Sequence, residues 1–189
     1  GFHNSHVFIT PDGNRMFLTR SILYGNEVQE SKIFLSRKGE DGWQGVEEVN
    51  GVNGDWVAKH PVVGELFGQE VLFFVSDKDG GQGGFDIYYS TLQADGSYNE
   101  PTNLGPAVNT AGNEQTPFYR DGTLYFSTDA RPSLGGYDIY FSDWDGTKWS
   151  QPVNMGRGFN SEVDDLYFTV DEEGYKGFLV SNRDENRSP

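Results

Sequence analysis

The stretch from Leu72 to Ser90, LFFVSDKDGGQGGFDIYYS, is written a second time from Leu124 to Ser142 as LYFSTDARPSLGGYDIYFS. Gly83 and Gly135, Gly84 and Gly136, Asp86 and Asp138, and Ile87 and Ile139 all stand 52 positions apart (138 − 86), so the copies align without a gap. A fixed period of that length is the signature of a repeat architecture. Outward from this core, EPTNLGPAVN at 100–109 is answered by QPVNMGRGFN at 151–160, which extends the repeat to a whole unit. TPDGNRMFLTRS (10–21) with SKIFLSRKGEDGW (31–43) reads as a more divergent copy, carrying a longer loop where the Gly-Gly pair should be. DDLYFTVDEEGYKGFLVSNRD (164–184) opens a fourth copy.

Each copy resolves into four short strands. In the third these are TPFY, LYFSTD, YDIYFSD and KWSQPV, separated by Arg120-Asp121-Gly122, a Gly-Gly turn and Asp145-Gly146. Asp-Gly and Gly-Gly suit hairpin turns because glycine takes positive φ and aspartate can bond the turn backbone. No segment shows a helical apolar stripe. The second strand is apolar at nearly every position, as in Leu72-Phe73-Phe74-Val75, so both of its faces must be covered. Sheets stacked around an axis supply that cover, which predicts an all-β fold, a β-propeller of four-stranded antiparallel blades. A β-sandwich is the main rival, but it gives no reason for the 52-residue echo (138 − 86).

The expected organisation is a single propeller region over 1–189, with repeats at about 1–54, 55–110, 111–162 and an incomplete 163–189. Three blades and the first half of a fourth would leave exposed strand edges, so the expectation is a part of a larger propeller. The alternative is that N-terminal residues complete the last blade. The fourth copy runs out at Asn186-Arg187-Ser188-Pro189, where the loop after its second strand should stand.

A chain of 189 residues with 35% hydrophobic side chains can bury a core, and no apolar run approaches membrane-spanning length. Its formal net charge of −15 would repel phosphate backbones and anionic lipid surfaces, which argues against nucleic acid as a partner and against membrane insertion. With no cysteine, disulfide usage does not decide the compartment.

The Pro11-Asp12-Gly13 opening, the G-G-[FY]-D-I-Y cores, the P-x-N-[LM]-G endings and the Asp164-Asp165 to Ser181-Asn182-Arg183 segment resemble TolB-type, WD-like propeller repeats. More narrowly, the combination is similar to the propeller region of Bacteroidetes OmpA-family envelope proteins, of the peptidoglycan-associated and type IX secretion or gliding kind. The resemblance covers about 55–184. It implies a periplasmic, outer-membrane-associated location and envelope proteins as partners, with peptidoglycan reached only through a domain outside this chain.

Candidate chemistry is sparse. Asp86 and Asp138 open a strand after Gly-Gly-aromatic, where a carboxylate can accept backbone N–H bonds and hold the turn. Asp77, Asp79 and Asp86, or Asp143 and Asp145, could offer oxygens to calcium, but their spacing does not fit an EF-hand loop. Asp164-Asp165 are the best carboxylates for glycoside hydrolysis, although they are adjacent in sequence and no third acid recurs at a matching position. His3 and His6, three apart in an extended strand, should point to opposite faces, and His60 reads as a buried or rim histidine. There is no cysteine and no G-x-S-x-G elbow for nucleophilic catalysis. Trp43, Tyr98 and Trp149 recur at one blade position and read as packing aromatics.

No catalytic, metal or cofactor residue is assigned on this reading. Its expectation is a non-enzymatic interaction scaffold of the cell envelope. Loop aromatics Tyr24, Phe85, Tyr137 and Phe159 could anchor a protein partner, Phe85 and Tyr137 being the more inclined to pack between blades, and the irregular loop Ile22 to Ser31 would supply specificity. The alternative is a carbohydrate-active propeller, binding or hydrolysing glycans, marked by aromatics and carboxylates at the axial funnel.

Overall fold

The computed structural model describes residues 1–183 except Asn26, Glu172 and Tyr175. The expected end of the fourth copy at 186–189 lies outside the described residues. Three sheets have four strands each: β1 (Phe2–Ile9), β2 (Arg15–Tyr24), β3 (Glu27–Gly39) and β4 (Gly42–Glu48); β5 (Ala58–Leu66), β6 (Gln69–Ser76), β7 (Asp86–Thr91) and β8 (Thr102–Asn103); β9 (Glu114–Arg120), β10 (Thr123–Thr128), β11 (Asp138–Asp143) and β12 (Val153–Asn154). A fourth sheet pairs β13 (Asp165–Val170) with β14 (Gly177–Ser181). Every sheet is an antiparallel meander in chain order, no helix occurs among the described residues, and the architecture is that of a β-propeller. β1 completes the first sheet by pairing with β2, not the fourth.

The core lies between the sheets. β6 turns Leu72 and Phe74 toward a cluster with Phe17, Ile33 and Leu35 of the first sheet. Its alternate residues Val71, Phe73 and Val75 join Leu124, Phe126 and Trp149 of the third. All five of these β6 side chains have no solvent exposure, at 0% each, which is the two-sided burial that the unbroken apolar run requires. Fully burying such a side chain is worth ~1.5–3 kcal/mol, so this strand is a main source of blade-to-blade cohesion.

The repeated motifs join one sheet to the next. Asn53, Asn109 and Asn160 lie in the connections that lead into the following sheet. Each accepts a hydrogen bond from the backbone N–H of Ile33, Ile87 or Ile139, at 2.8, 2.8 and 2.7 Å, and donates from Nδ2 to the same isoleucine's carbonyl. Asp86 and Asp138 do hold their loops as expected: they accept from the backbone of Gln82 and Leu134 and from Asn103 and Asn154 Nδ2. Phe85 and Tyr137 donate their N–H to Asn113 and Asp164, the residues that enter the next sheet.

The Gly-Gly pairs are needed for a reason other than turn geometry. Positive φ occurs at Gly13, Gly96, Gly122 and Gly146 of the Asp-Gly turns, not at Gly83, Gly84, Gly135 or Gly136. A Cβ on Gly83 would strike the carbonyls of Gly112 and Thr110, and one on Gly135 would strike Val163. These glycines let the backbone of the next sheet approach closely.

Three local expectations change. The segment Ile22 to Ser31 is no irregular loop but the far end of the β2–β3 hairpin, turned at Gly25 with φ of 63°. The fourth strand of the third sheet is Val153–Asn154, because Asp145 draws Thr147 and Lys148 into a tight turn and only Trp149 bridges back to Trp144. Tyr98 and Trp149 pack edge-on against Phe17 and Phe73 of the preceding sheet, with ring centroids 6.4 and 6.1 Å apart, whereas Trp43 is 40% exposed. Among the described residues no sheet precedes Trp43 to receive it.

Candidate functional site: an axial cleft

The innermost strands β1, β5, β9 and β13 each break register once, between Ser5 and Phe8, Lys59 and Val62, Gln115 and Phe118, and Leu166 and Thr169. A β-bulge adds one unpaired residue and re-aims its side chain. The extra residues are His6, His60, Thr116 and Tyr167, with φ of 50, 56, 50 and 54°, a left-handed conformation uncommon for side chains of this bulk. Four such residues at one repeat position line a single cleft of about 710 Å³. Strained backbone of this kind concentrates at functional sites.

The four are hydrogen-bonded in sequence around the axis. Thr116 donates its N–H to His60 Nδ1 at 3.2 Å, so His60 carries its proton on Nε2, which faces the Tyr167 hydroxyl at 3.5 Å. That hydroxyl bonds in turn to His6 Nε2, and His6 Nδ1 meets Ser5 Oγ at 2.7 Å. The imidazoles of His6 and His60 lie 3.9 Å apart. Burial, with Lys59 and His3 close by, pushes the His6 pKa down to about 4, and burial drives His60 well below the usual histidine range. Both rings are therefore neutral at pH 7.

Lys59 also lines the cleft, its Nζ 3.6 Å from the centre of the Phe85 ring. Burial lowers its pKa to about 8, with Asp77 opposing the shift. Gln115 and Tyr137 close another side, and burial together with Asp129 pushes Tyr137 up to about 12. Leu23 and Val28, from the β2–β3 hairpin, add apolar surface to the lining.

No Asp or Glu is among the lining residues. Carboxylates stand one layer behind: Asp77 accepts the Val57 N–H at 2.7 Å, Asp164 the Tyr137 N–H at 3.0 Å, and Asp129, bonded to Asn113, acts on Tyr137 by its charge. Asp165 is fully buried and held by Ser161 and Arg183, so the Asp164-Asp165 pair serves the joint between the third and fourth sheets. Of the possible calcium ligands, Asp86 Oδ2 is engaged in its loop, Asp143 with Thr123, and Asp145 in its turn. Among the described residues no three His, Cys, Asp or Glu side chains converge to hold a metal ion.

His3 and His6 line the same cleft, not opposite faces, because the bulge after Ser5 inverts the alternation between them. His60 is buried, at 8% exposure, as expected. Thr116, Tyr167, Lys59 and Gln115 escape the sequence reading. A partial signal was present: His60-Pro61 and Thr116-Pro117 occupy one repeat position, and proline inside a strand marks a sheet edge or a bulge.

No family model and no curated protein matches the sequence. Solved structures do. An α-L-arabinofuranosidase from Lactobacillus brevis superposes with a TM-score of 0.55 at 15% identity, over 93% of this chain and 63% of that one. A thermostable family-43 glycoside hydrolase gives 0.54 at 14%, over 93% and 63%. A puromycin-hydrolysing peptidase from Mycobacterium tuberculosis gives 0.53 at 16%, over 92% and 27%. The chain thus spans less than two thirds of these neighbours, and at such identities the likeness is one of fold.

These neighbours overturn the envelope-family resemblance. They are hydrolytic enzymes, not TolB- or OmpA-type envelope proteins. The motifs that carried the resemblance dock one blade on the next, so they mark propeller architecture in general. The non-enzymatic scaffold and its place in type IX secretion rested on that resemblance and fall with it; the neighbours that share the fold are glycoside hydrolases and a peptidase.

Proposed function

We propose that this chain is the propeller of a carbohydrate-active protein and that the axial cleft seats the glycan. The observation that carries this reading is the lining itself. Hydroxyl, amide and imidazole groups from Ser5, Thr19, Gln115 and His60 converge beside the rings of Phe85, Tyr137 and Tyr167. A sugar offers the matching surfaces, a polar edge for the hydrogen-bonding groups and a C–H face for the rings. The volume of about 710 Å³ is in the range of small-molecule sites, and such sites combine apolar walls with a few convergent polar groups. The arabinofuranosidase and family-43 neighbours support the same substrate class.

Glycosidic hydrolysis generally needs two carboxyl groups roughly 5–10 Å apart across the bond. Asp77 and Asp164, which accept N–H groups of the lining residues Val57 and Tyr137, and Asp129 beside Tyr137 stand behind the wall, and any hydrolytic carboxyls of this chain would come from them. The test is to titrate arabinose-containing oligosaccharides calorimetrically and to analyse the mixtures for released sugar. Binding that falls at least tenfold in Gln115→Ala and Tyr137→Ala is expected, with any cleavage lost in Asp129→Asn or Asp164→Asn. Absence of glycan binding across a broad oligosaccharide panel, or binding indifferent to Gln115 and Tyr137, would overturn the reading.

A further inference from the structure

The cleft is the one described cavity whose electrostatics run against the rest of the molecule. The chain carries 29 acidic against 14 basic side chains, yet no carboxylate faces this space while Lys59 and three histidines do. Lys32, Lys78 and Arg15 are paired with Glu30, Glu100 and Glu70. Lys59 forms no ion pair among the described residues; its ammonium rests on the Phe85 ring. The closest carboxylate acting on it, Asp77, is turned to the Val57 N–H.

Lys59 is half-buried at the cleft wall, and a cation partly removed from water without a counter-ion gains from an anion that reaches it. The neighbouring histidines offer none: His60 Nε2 is a donor toward Tyr167, and His6 Nε2 is occupied by the same hydroxyl. Both imidazoles are thus engaged with Tyr167, and neither supplies a negative charge to Lys59. From this geometry we infer that the glycan seated in the axial cleft is anionic, a sugar bearing a carboxylate or sulfate group that pairs with the Lys59 ammonium. The inference rests on the proposed glycan-binding role and adds the chemical class of the sugar.

A calorimetric comparison separates the two. The native protein is titrated with a uronate-bearing oligosaccharide, with the same oligosaccharide after its carboxyl groups are reduced to neutral hydroxymethyls, and with a sulfated analogue of the neutral form. At least tenfold tighter binding of an anionic ligand is expected, weakened by added salt. That preference should vanish in Lys59→Met and persist in Lys59→Arg, with thermal melting showing both variants folded. Preference for the uronate over the sulfated analogue, or the reverse, identifies which anion the cleft takes. Equal affinity for all three, or a preference that survives in Lys59→Met, overturns the inference and leaves glycan binding standing. Failure of all three to bind overturns both.

Discussion

Acidification should loosen the axial ring before it reaches the carboxylates. Between pH 6.5 and 4 the unfolded chain binds a proton at His6 that the folded chain resists, since burial lowers the folded pKa from 6.5 to about 4. The stability this neutral ring contributes is present above pH 6.5 and is lost as pH falls through 4. Linkage over that interval is bounded at ~3 kcal/mol, and because His6 is only partly buried and screened by solvent, ~1 kcal/mol is expected between pH 7 and pH 5. His60, shifted in the same direction by burial and by His6 itself, adds to the slope. Asp12, Asp95 and Asp145, all held below the ordinary 3.8 by hydrogen bonds, act only at lower pH. Glu114, raised above 4.5 by burial, works in the opposite sense and gains stability as pH falls. Urea unfolding at pH 7 and pH 5, followed by tryptophan fluorescence, measures the difference. His6→Gln, which keeps a hydrogen-bonding amide but cannot titrate, should remove ~1 kcal/mol of it. A native stability unchanged between the two pH values, or a His6→Gln variant with the native slope, would refute the account.

Lys59→Met should stabilise the fold by ~1–3 kcal/mol at pH 7, because Lys59 pays for burial with a pKa of about 8. That gain should shrink between pH 8 and 10.5, where the folded lysine is already neutral, and calorimetric melting across this range checks it. Gly83→Ala and Gly135→Ala should each cost ~1–3 kcal/mol, since the methyl group meets backbone carbonyls of the next sheet; a drop in melting temperature is the readout. Asn109→Ala should cost ~1–3 kcal/mol by leaving the buried Ile87 N–H without a partner, the carbonyl keeping the Leu104 N–H, and hydrogen exchange at Ile87 should rise with it.

The fold was legible because its evidence is redundant. The echo of 72–90 in 124–142 gives the repeat, and the apolar run Leu72 to Val75 demands two covering sheets. The meaning of the glycine pairs was not legible, since close approach of a neighbouring sheet leaves the same trace in sequence as a turn. The site was less legible still. Strict alternation along a strand placed His3 and His6 on opposite faces, and one bulge residue reverses that assignment. Bulges depend on pairing partners that no local pattern encodes. The recurring motifs, which invited a family assignment, describe how blades dock and carry no information about what the cleft holds.

The asparagines that pin Ile33, Ile87 and Ile139 lie downstream of the strands they hold, at Asn53, Asn109 and Asn160. The native partner of the Ile87 N–H, near the start of β7, thus lies about twenty residues further on, in the segment that leaves the sheet. Each of these sheets is pinned by the chain that leads out of it. The joint between two blades is therefore also a lock on the blade before it.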